Sequence, residues 1–199
     1  FVNAPIKPSH AKIKQKKRII GKELLNTLTN EVKKYLSKSP VWIDSNGRGL
    51  VWTDGSFDFK SSSGNSSIVW NKSDGISIAI PNATSSTETE LIAILIASSK
   101  ENIHILTDSR TSFDLITKNS KIDPWLKPTI IKIREKLQNG NSTISHIRAH
   151  LKDQNYQSIL EELSRKTGVS SEILKNGNDL ADKWSHSPQA KYPVYREED

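Results

Sequence analysis

The chain has 199 residues, of which 34% are hydrophobic and 26% charged, and it carries a net charge of +7 and no cysteine. This length allows one packed domain with an appendage rather than two full domains. Without cysteine there are no disulfides, thiolate metal sites or cysteine nucleophiles, so a bound metal needs oxygen or imidazole ligands.

No apolar run approaches the roughly 18 residues of a membrane-spanning helix, and no leader sequence is evident. We therefore expect an intracellular protein, nuclear or cytoplasmic, that is not secreted and has no membrane partner. Its positive charge is concentrated at the N-terminus, where residues 1–38 contain ten lysines and arginines against two glutamates. The rest of the chain carries a net charge of −1.

Apolar residues at three- and four-residue steps predict a helix from Ile19 to Leu36. We interpret residues 1–46 as a basic helical arm or linker, which either attracts nucleic acid or is a solvated connection. The run KIKQKKR at 12–18 is compatible with a nuclear localisation signal and equally with a basic segment that binds nucleic acid.

The elements that follow alternate between strands and helices. Strands are predicted over Leu50–Phe59, Ser67–Asn71 and Ile76–Ile80, with a hairpin turn at Asp74-Gly75 between the last two. Next come helix Thr84–Lys100, strand Ile103–Thr107, helices Ser109–Lys118 and Trp125–Leu137, and strand Thr143–Ala149. Residues 151–177 predict two short helices, and the last helix is expected from Gly177 to Ser187, capped by Asn178 or Asp179. This order predicts a mixed sheet with helices packed on it.

The stretch VWTDGSFDF at 51–59 has two incompatible interpretations. Asp-Gly between apolar residues is typical of a hairpin turn, which would make Asp54 a turn residue. If Leu50–Phe59 is instead one strand, Asp54 is a carboxylate inside an apolar strand, and it needs a compensating partner. We favour the strand because Asp74-Gly75 already supplies the hairpin turn. Gly55 would then let a nucleic-acid backbone approach.

Three further acidic residues occupy unexpected positions. Glu90 lies on the apolar stripe of its helix, where an unpaired charge is rare. Asp108 ends a buried strand at the sheet edge where α/β proteins bind ligands, although it also suits a helix cap. Asp182 flanks the apolar stripe of the last helix, although an exposed carboxylate is ordinary there. With Asp54 they predict a carboxylate cluster whose repulsion requires Mg²⁺ or Mn²⁺, and two such ions can promote phosphodiester hydrolysis.

Four motifs that hold these acids resemble the signature of type 1 ribonuclease H. They are TDGS, ETEL, LTDS and GNDLAD, in that order, and the resemblance extends from about Gly47 to Ser187. It implies a ribonuclease H-like α/β fold for residues 47–188, with a five-stranded mixed sheet and helices on both faces, followed by a tail at 189–199. It also implies that Asp54, Glu90, Asp108 and Asp182 hold two Mg²⁺, for which Mn²⁺ can substitute. His150 corresponds to the family's mobile catalytic histidine.

The resemblance further implies the substrate and its binding site. The family cleaves the RNA strand of RNA–DNA hybrids, which it recognises by shape and by 2′-hydroxyls. Positions that line the substrate groove correspond to Gly55, Ser56, Ser86, Thr87, Ser109 and Asn178. Basic residues around the Trp125 helix either bind phosphates of the DNA strand or form a solvated face: Lys118, Lys121, Lys127, Lys132, Arg134 and Lys136.

Two features depart from the family. SSTETE replaces the asparagine pair that often precedes the helix glutamate, which bears on substrate preference. Residues 151–177 form a helical insertion between His150 and Asn178, interpretable as a lid, a partner surface or a decoration.

The GNDLADKW form and the basic arm are similar to ribonuclease H domains at the end of retroelement reverse transcriptases. The start at Phe1 and the absence of methionine agree with a fragment that follows such a polymerase in a longer chain. We expect a monomeric hybrid endonuclease. The alternatives are a catalytically silent module that binds nucleic acid or a partner, and a nuclease or integrase of the same fold that acts on DNA.

Overall fold

The computed structural model describes residues 30, 33–34, 42–71, 75–81, 83–119, 121–148, 155–186 and 191–193. Its strands are β1 (Gly49–Asp58), β2 (Ser63–Val69), β3 (Gly75–Pro81), β4 (Ile103–Thr107), β5 (Thr143–His146) and β6 (Lys191–Pro193). Its helices are α1 (Ser86–Ala97), α2 (Arg110–Thr117), α3 (Lys127–Asn139), α4 (Tyr156–Thr167) and α5 (Ser171–His186). The predicted helix Ile19–Leu36 lies outside the described residues except for Asn30, Lys33 and Lys34, which are helical.

The strands form one mixed sheet in the order β5-β4-β1-β2-β3-β6. β2 is antiparallel to β1 and β3, whereas β4 is parallel to β1 and β5, and β6 is parallel to β3. The mixed sheet and its first five strands are as predicted. β6 is an addition within the predicted tail at 189–199, where it covers the edge of β3. A strand of three residues is too short to produce a periodic sequence signal.

β1 continues without interruption through Asp54 and Gly55. Asp54 pairs with Ser67 and Gly55 with Ser66, the register of a continuous antiparallel strand. The strand interpretation of VWTDGSFDF is therefore confirmed, and the hairpin interpretation is excluded. The chain reverses instead between β2 and β3, whose antiparallel pairing is that of the predicted hairpin. Asp74 of its turn lies outside the described residues.

Helices cover both faces of the sheet, as predicted. Alternate residues of β1 point to opposite faces, so Val51 packs in a core with α1, α2 and α3, and Trp52 in a core with α4 and α5. In α1, every residue from Glu88 to Ala97 is buried, because the helix lies between the sheet and α3. None of the helices within the described ranges has the length and apolar character needed to cross a membrane.

The last helix begins six residues before the predicted start at Gly177. The Ser170 carbonyl accepts a hydrogen bond from the Leu174 amide at 3.1 Å, so α5 starts at Ser171. Gly177 lies inside the helix, where a Cβ would overlap the indole ring of Trp52. The prediction that Asn178 or Asp179 caps this helix is therefore wrong. Glycine here permits close packing and does not end the element.

The segment before β1 packs against the domain. The carbonyl of Trp42 accepts the Leu50 amide at 2.6 Å. Asp44 Oδ1 accepts the amides two and four residues further on, both at 2.9 Å, around a turn in which Gly47 has a φ of 81°. The division into an arm at 1–46, a domain at 47–188 and a tail stays a prediction. The described residues from Trp42 onwards are nevertheless in direct contact with the domain.

A buried hydrogen-bonded network joins this segment to β4 and β5. His104 is 3% exposed, and its Nδ1 and Nε2 lie 2.9 Å from Asp44 Oδ2 and 2.7 Å from Ser145 Oγ. Burial lowers the pKa of His104 against the attraction of Asp44, and the cations Lys166 and Arg48 lower it further. The neutral imidazole therefore donates to the carboxylate and accepts from the hydroxyl. Burial raises the pKa of Asp44, but hydrogen bonds from the Arg48 amide and from His104 outweigh this effect, so the pKa is lowered.

We expect His104 to contribute stability that is lost as the pH falls below about 6.5, the ordinary pKa of histidine. Because folding lowers the pKa of His104, this side chain binds more protons in the unfolded chain than in the folded one. The other titrating groups are the same in the wild type and in His104→Gln, so the difference in the free energy of unfolding between the two isolates this contribution. Thermal unfolding of both proteins between pH about 5 and about 7.5 measures the difference. It should shrink as the pH falls, and a constant difference would contradict the assignment.

Candidate active site

Asp54 and Asp108 meet where β1 extends beyond the end of β4. Thr53 pairs with Thr107, the last residue of β4, so Asp108 leaves the sheet directly beside Asp54. Asp54 is 4% exposed, and Asp108 is half-buried. The end of a parallel strand pair thus presents two carboxylates, at the kind of edge where α/β sheets bind ligands.

The first turn of α1 brings Glu90 to the same place. Ser85 Oγ accepts the Glu88 amide at 3.1 Å, and Glu88 Oε1 accepts the Thr84 amide at 3.0 Å, so the helix starts at Ser86, two residues after the predicted start. Gly55 allows the helix to approach, because a Cβ there would lie 2.5 Å from the Glu90 amide nitrogen. Glu90 is 7% exposed, and its Oε2 has no hydrogen-bond partner among the described residues.

Two groups of metal-ligand atoms share Asp54. One oxygen each from Asp54, Glu90 and Asp108 lie within 4.8 Å of one another. A second group within the same distance combines Asp54 with Asp182 and His186 of α5. Oxygen-rich ligand sets of this kind suit hard divalent cations, and the unpartnered Glu90 oxygen has the chemistry of such a ligand.

The electrostatics of the cluster favour a cation. Burial raises the pKa of Glu90 to about 11, with the neighbouring Asp54 and Asp108 adding to the shift. Burial and then Asp54 raise the pKa of Asp108 to about 7, with a contribution from Asp182. Closely spaced carboxylates disfavour each other's ionisation, and a divalent cation bound between them offsets this repulsion.

Serine side chains of the sheet attach α5 to its face. Three serines, one on each of β1, β2 and β3, donate hydrogen bonds of 2.6–3.0 Å to main-chain oxygens near the end of α5: Ser56 to Ser185, Ser67 to Ala181 and Ser77 to Trp184. We call these three the serine anchors. Each such bond stabilises the fold by about 1 kcal/mol. Together they hold the helix segment that carries Asp182.

A family model for RNase H matches residues 46–185. The chain belongs to the RNase H family. The matched segment includes all four predicted acidic residues and extends through the insertion. A sequence search of curated proteins finds no match for the chain.

The fold of this RNase H domain gathers the other three predicted acidic residues around Asp54. Asp108 is not the helix cap that its position also allowed, because Ser109 Oγ accepts the Ser112 amide at 3.2 Å. Asp182 is exposed, as its alternative interpretation expected, yet its carboxylate belongs to the group around Asp54. His150 lies outside the described residues. The metal-binding and catalytic roles of all five residues stay predictions.

Three residues predicted to bind substrate have structural contacts in the RNase H domain. Ser56 is one of the serine anchors, and Ser109 caps α2. At Gly55, the missing side chain makes room for α1, so helix packing rather than approach of a nucleic-acid backbone accounts for the glycine. These contacts leave the substrate role of all three a prediction.

The other predicted substrate residues differ in exposure. Ser86 is exposed and Thr87 half-buried in the first turn of α1, next to the cluster in sequence. Asn178 is 3% exposed inside α5, and its Oδ1 has no partner within the described part of the chain. Of the three, Ser86 and Thr87 are positioned for contact with a ligand from solvent. Their substrate role also stays a prediction.

The basic residues around α3 have different contacts. Arg134 donates to two carbonyls near the end of α2, both at 2.8 Å, where a cation complements the helix dipole. Lys136 donates to Ser99 Oγ at 2.6 Å, and Lys118 pairs with Asp114 at 3.2 Å. These contacts give Arg134 and Lys136 a role in packing. Phosphate binding by any of the six basic residues stays a prediction.

Two residues at the site were not predicted from the sequence. Ser185 Oγ donates to Asp54 Oδ2 at 3.0 Å, and His186 Nδ1 lies 3.6 Å from Asp182 Oδ1. The signal for His186 is its spacing of four residues from Asp182, which places both side chains on one face of a helix. In isolation, a histidine in the last turn of a helix indicates only a favourable interaction with the helix dipole.

Proposed function

We propose that this RNase H domain is an endonuclease that hydrolyses the RNA strand of RNA–DNA hybrids, using two Mg²⁺ or Mn²⁺ ions around Asp54. The observation that carries the proposal is the membership of Asp54 in two ligand groups, each within 4.8 Å. Two-metal hydrolases place their ions about 4 Å apart, which a shared carboxylate allows. Membership of the family supports this chemistry and this substrate.

The residues present fit two cations. Asp54, Glu90 and Asp108 would hold one, and Asp54 with Asp182 the other. Bound ions supply an activated water and stabilise the leaving oxygen of the phosphodiester. The protein's own contribution is to fix these ligands on a central strand, a buried helix and the attached helix α5, so that little reorganisation is needed.

The remaining proposed roles concern protons and partners. We propose that His150 moves a proton to water or to the departing product, as a histidine near its ordinary pKa of about 6.5 can. We also propose that the domain is a monomer, and that the basic arm joins it to an upstream reverse transcriptase. The charge of residues 1–38 and the resemblance to retroelement domains support the proposed connection to a reverse transcriptase.

Cleavage of labelled substrates tests the function. With Mg²⁺, the protein should cleave the RNA strand of a hybrid and leave duplex DNA and duplex RNA intact. Asp182→Asn should lower the rate by about 10²–10³-fold. Asp179→Asn is the matched control, because this exposed carboxylate lies on the same helix and pairs with Lys175.

Two other outcomes of the cleavage assay would favour the alternative functions. Hybrid binding without Mg²⁺-dependent cleavage would contradict the proposal and favour the catalytically silent module. Preferential cleavage of duplex DNA would favour a DNA-acting nuclease on the same fold.

A further inference from the structure

His186 extends the ligand group of Asp54 and Asp182. It lies in the last turn of α5, four residues after Asp182, so both side chains lie on one face of the helix. Its Nδ1 is 3.6 Å from Asp182 Oδ1, and one ligand atom of each of the three residues lies within 4.8 Å of the others. In an octahedral site with bonds of about 2.1 Å, adjacent ligands are about 3 Å apart and opposite ligands about 4 Å. The three atoms therefore span little more than one coordination shell.

We propose that His186 is a nitrogen ligand of the cation held by Asp54 and Asp182. The inference rests on the proposed function, since it assigns an additional ligand to one of the two cations proposed there. It gives the two positions different chemistry: three carboxylates around Glu90, and two carboxylates with an imidazole at the end of α5.

The exposure of this part of the site allows the small adjustment that coordination requires. The side chains of Asp182 and His186 are 57% and 63% exposed, so both can rotate without disturbing the core. Asp54 is the fixed member of the group, because it is buried on β1 and accepts a hydrogen bond from Ser185 Oγ at 3.0 Å. Closure of the group around a cation thus moves only surface side chains.

Coordination also leaves the nearby polar groups satisfied. His186 Nδ1 lies 2.9 Å from the main-chain oxygen of Asp182, a hydrogen bond that coordination through Nδ1 would replace. The Ser185 hydroxyl lies 2.8 Å from the same oxygen and 3.0 Å from Asp54 Oδ2, so its single proton can turn to the Asp182 oxygen once a cation holds Asp54. The imidazole proton then resides on Nε2, as required of a neutral ring that binds metal through Nδ1.

A nitrogen ligand has a consequence for metal preference. Imidazole suits transition metals better than Mg²⁺, which prefers oxygen donors. Removal of His186 should therefore weaken the binding of Mn²⁺ more than that of Mg²⁺. A role for His186 that did not involve coordination would give no such difference between the ions.

Electron paramagnetic resonance of Mn²⁺ bound to the purified protein tests the inference without measuring activity. The wild type should show spin-echo modulation from a coordinated nitrogen. His186→Ala should lose this modulation and bind one Mn²⁺ about tenfold more weakly, with a smaller change for Mg²⁺ in competition. His146→Ala is the matched control, because this histidine contacts the Asp108 carbonyl at 3.3 Å but belongs to neither ligand group. It should keep the nitrogen modulation.

Asp54→Asn distinguishes failure of this inference from failure of the proposed function. If Asp54→Asn abolishes Mn²⁺ binding but His186→Ala retains wild-type affinity and modulation, the inference is overturned and the proposed function stands. A wild type that binds Mn²⁺ with no nitrogen modulation overturns the inference in the same way. If Asp54→Asn also leaves Mn²⁺ binding unchanged, the two-metal site itself is wrong.

Discussion

Asp54→Asn is expected to abolish hybrid cleavage while making the metal-free protein more stable. Asp54 belongs to both ligand groups, so its replacement removes a ligand from each proposed cation. A rate loss of about 10³-fold or more follows, equivalent to about 4 kcal/mol. In the metal-free protein the same charge opposes ionisation of Glu90 and Asp108. The neutral amide removes this repulsion, and we expect a gain of about 1–2 kcal/mol in the free energy of unfolding.

Thermal unfolding with and without cations measures the stability change. Added Mg²⁺ or Mn²⁺ should stabilise the wild type, because it binds the folded state, and should have little effect on Asp54→Asn. Asp58→Asn is the control, since Asp58 is an exposed carboxylate on the same strand. A variant that unfolds at a lower temperature than the metal-free wild type would contradict the charge repulsion, and one that is still stabilised by cations would show that Asp54 is not the shared ligand.

Gly177→Ala is expected to destabilise the protein by about 2–3 kcal/mol, because the added methyl group overpacks a filled site. At an open helical position the same substitution would stabilise the protein by about 1 kcal/mol, since glycine is a poor helix former. Here the new Cβ would overlap the Trp52 ring, whose Nε1 also donates to the Leu174 carbonyl at 3.0 Å. Helix α5 must therefore move away from the sheet, and Asp182 moves with it.

Chemical denaturation and the hybrid-cleavage rate together measure this effect. Asn176→Ala is the matched control, because residue 176 is exposed on the same turn and should tolerate alanine with a change within about 0.5 kcal/mol. A stability gain for Gly177→Ala would show that Trp52 does not set the position of α5. Cleavage should fall in Gly177→Ala and stay unchanged in Asn176→Ala.

The sequence predicts best where the signal is local. β4 is a short apolar run bounded by polar residues, and the structure has it at Ile103–Thr107 as predicted. Asp54 and Glu90 could be identified because a charge among apolar neighbours conflicts with the pattern of its own element. Each of these signals lies within a few residues of the site that it marks.

The errors come from contacts between residues far apart in the chain. Gly177 is a helix breaker by its own propensity, and only its packing against Trp52 explains its place inside α5. The contacts of Gly55 with α1 and of Ser56 with α5 were likewise not predicted, and the substrate role of both residues stays a prediction. His186 is marked in the sequence only by its spacing of four residues from Asp182, and its relation to Asp54 depends on how α5 packs on the sheet.

The serine anchors tie Asp182 to the sheet through the main chain of α5 itself. Because the helix is attached to β1, β2 and β3 close to Asp182, the length of the connection ahead of α4 does not set where this carboxylate lies. Each doubling of a flexible loop costs only about 0.6 kcal/mol. Added residues at 151–154 are therefore expected to leave Asp182 in place, whereas α4 cannot be exchanged freely because it packs in the core with Trp52.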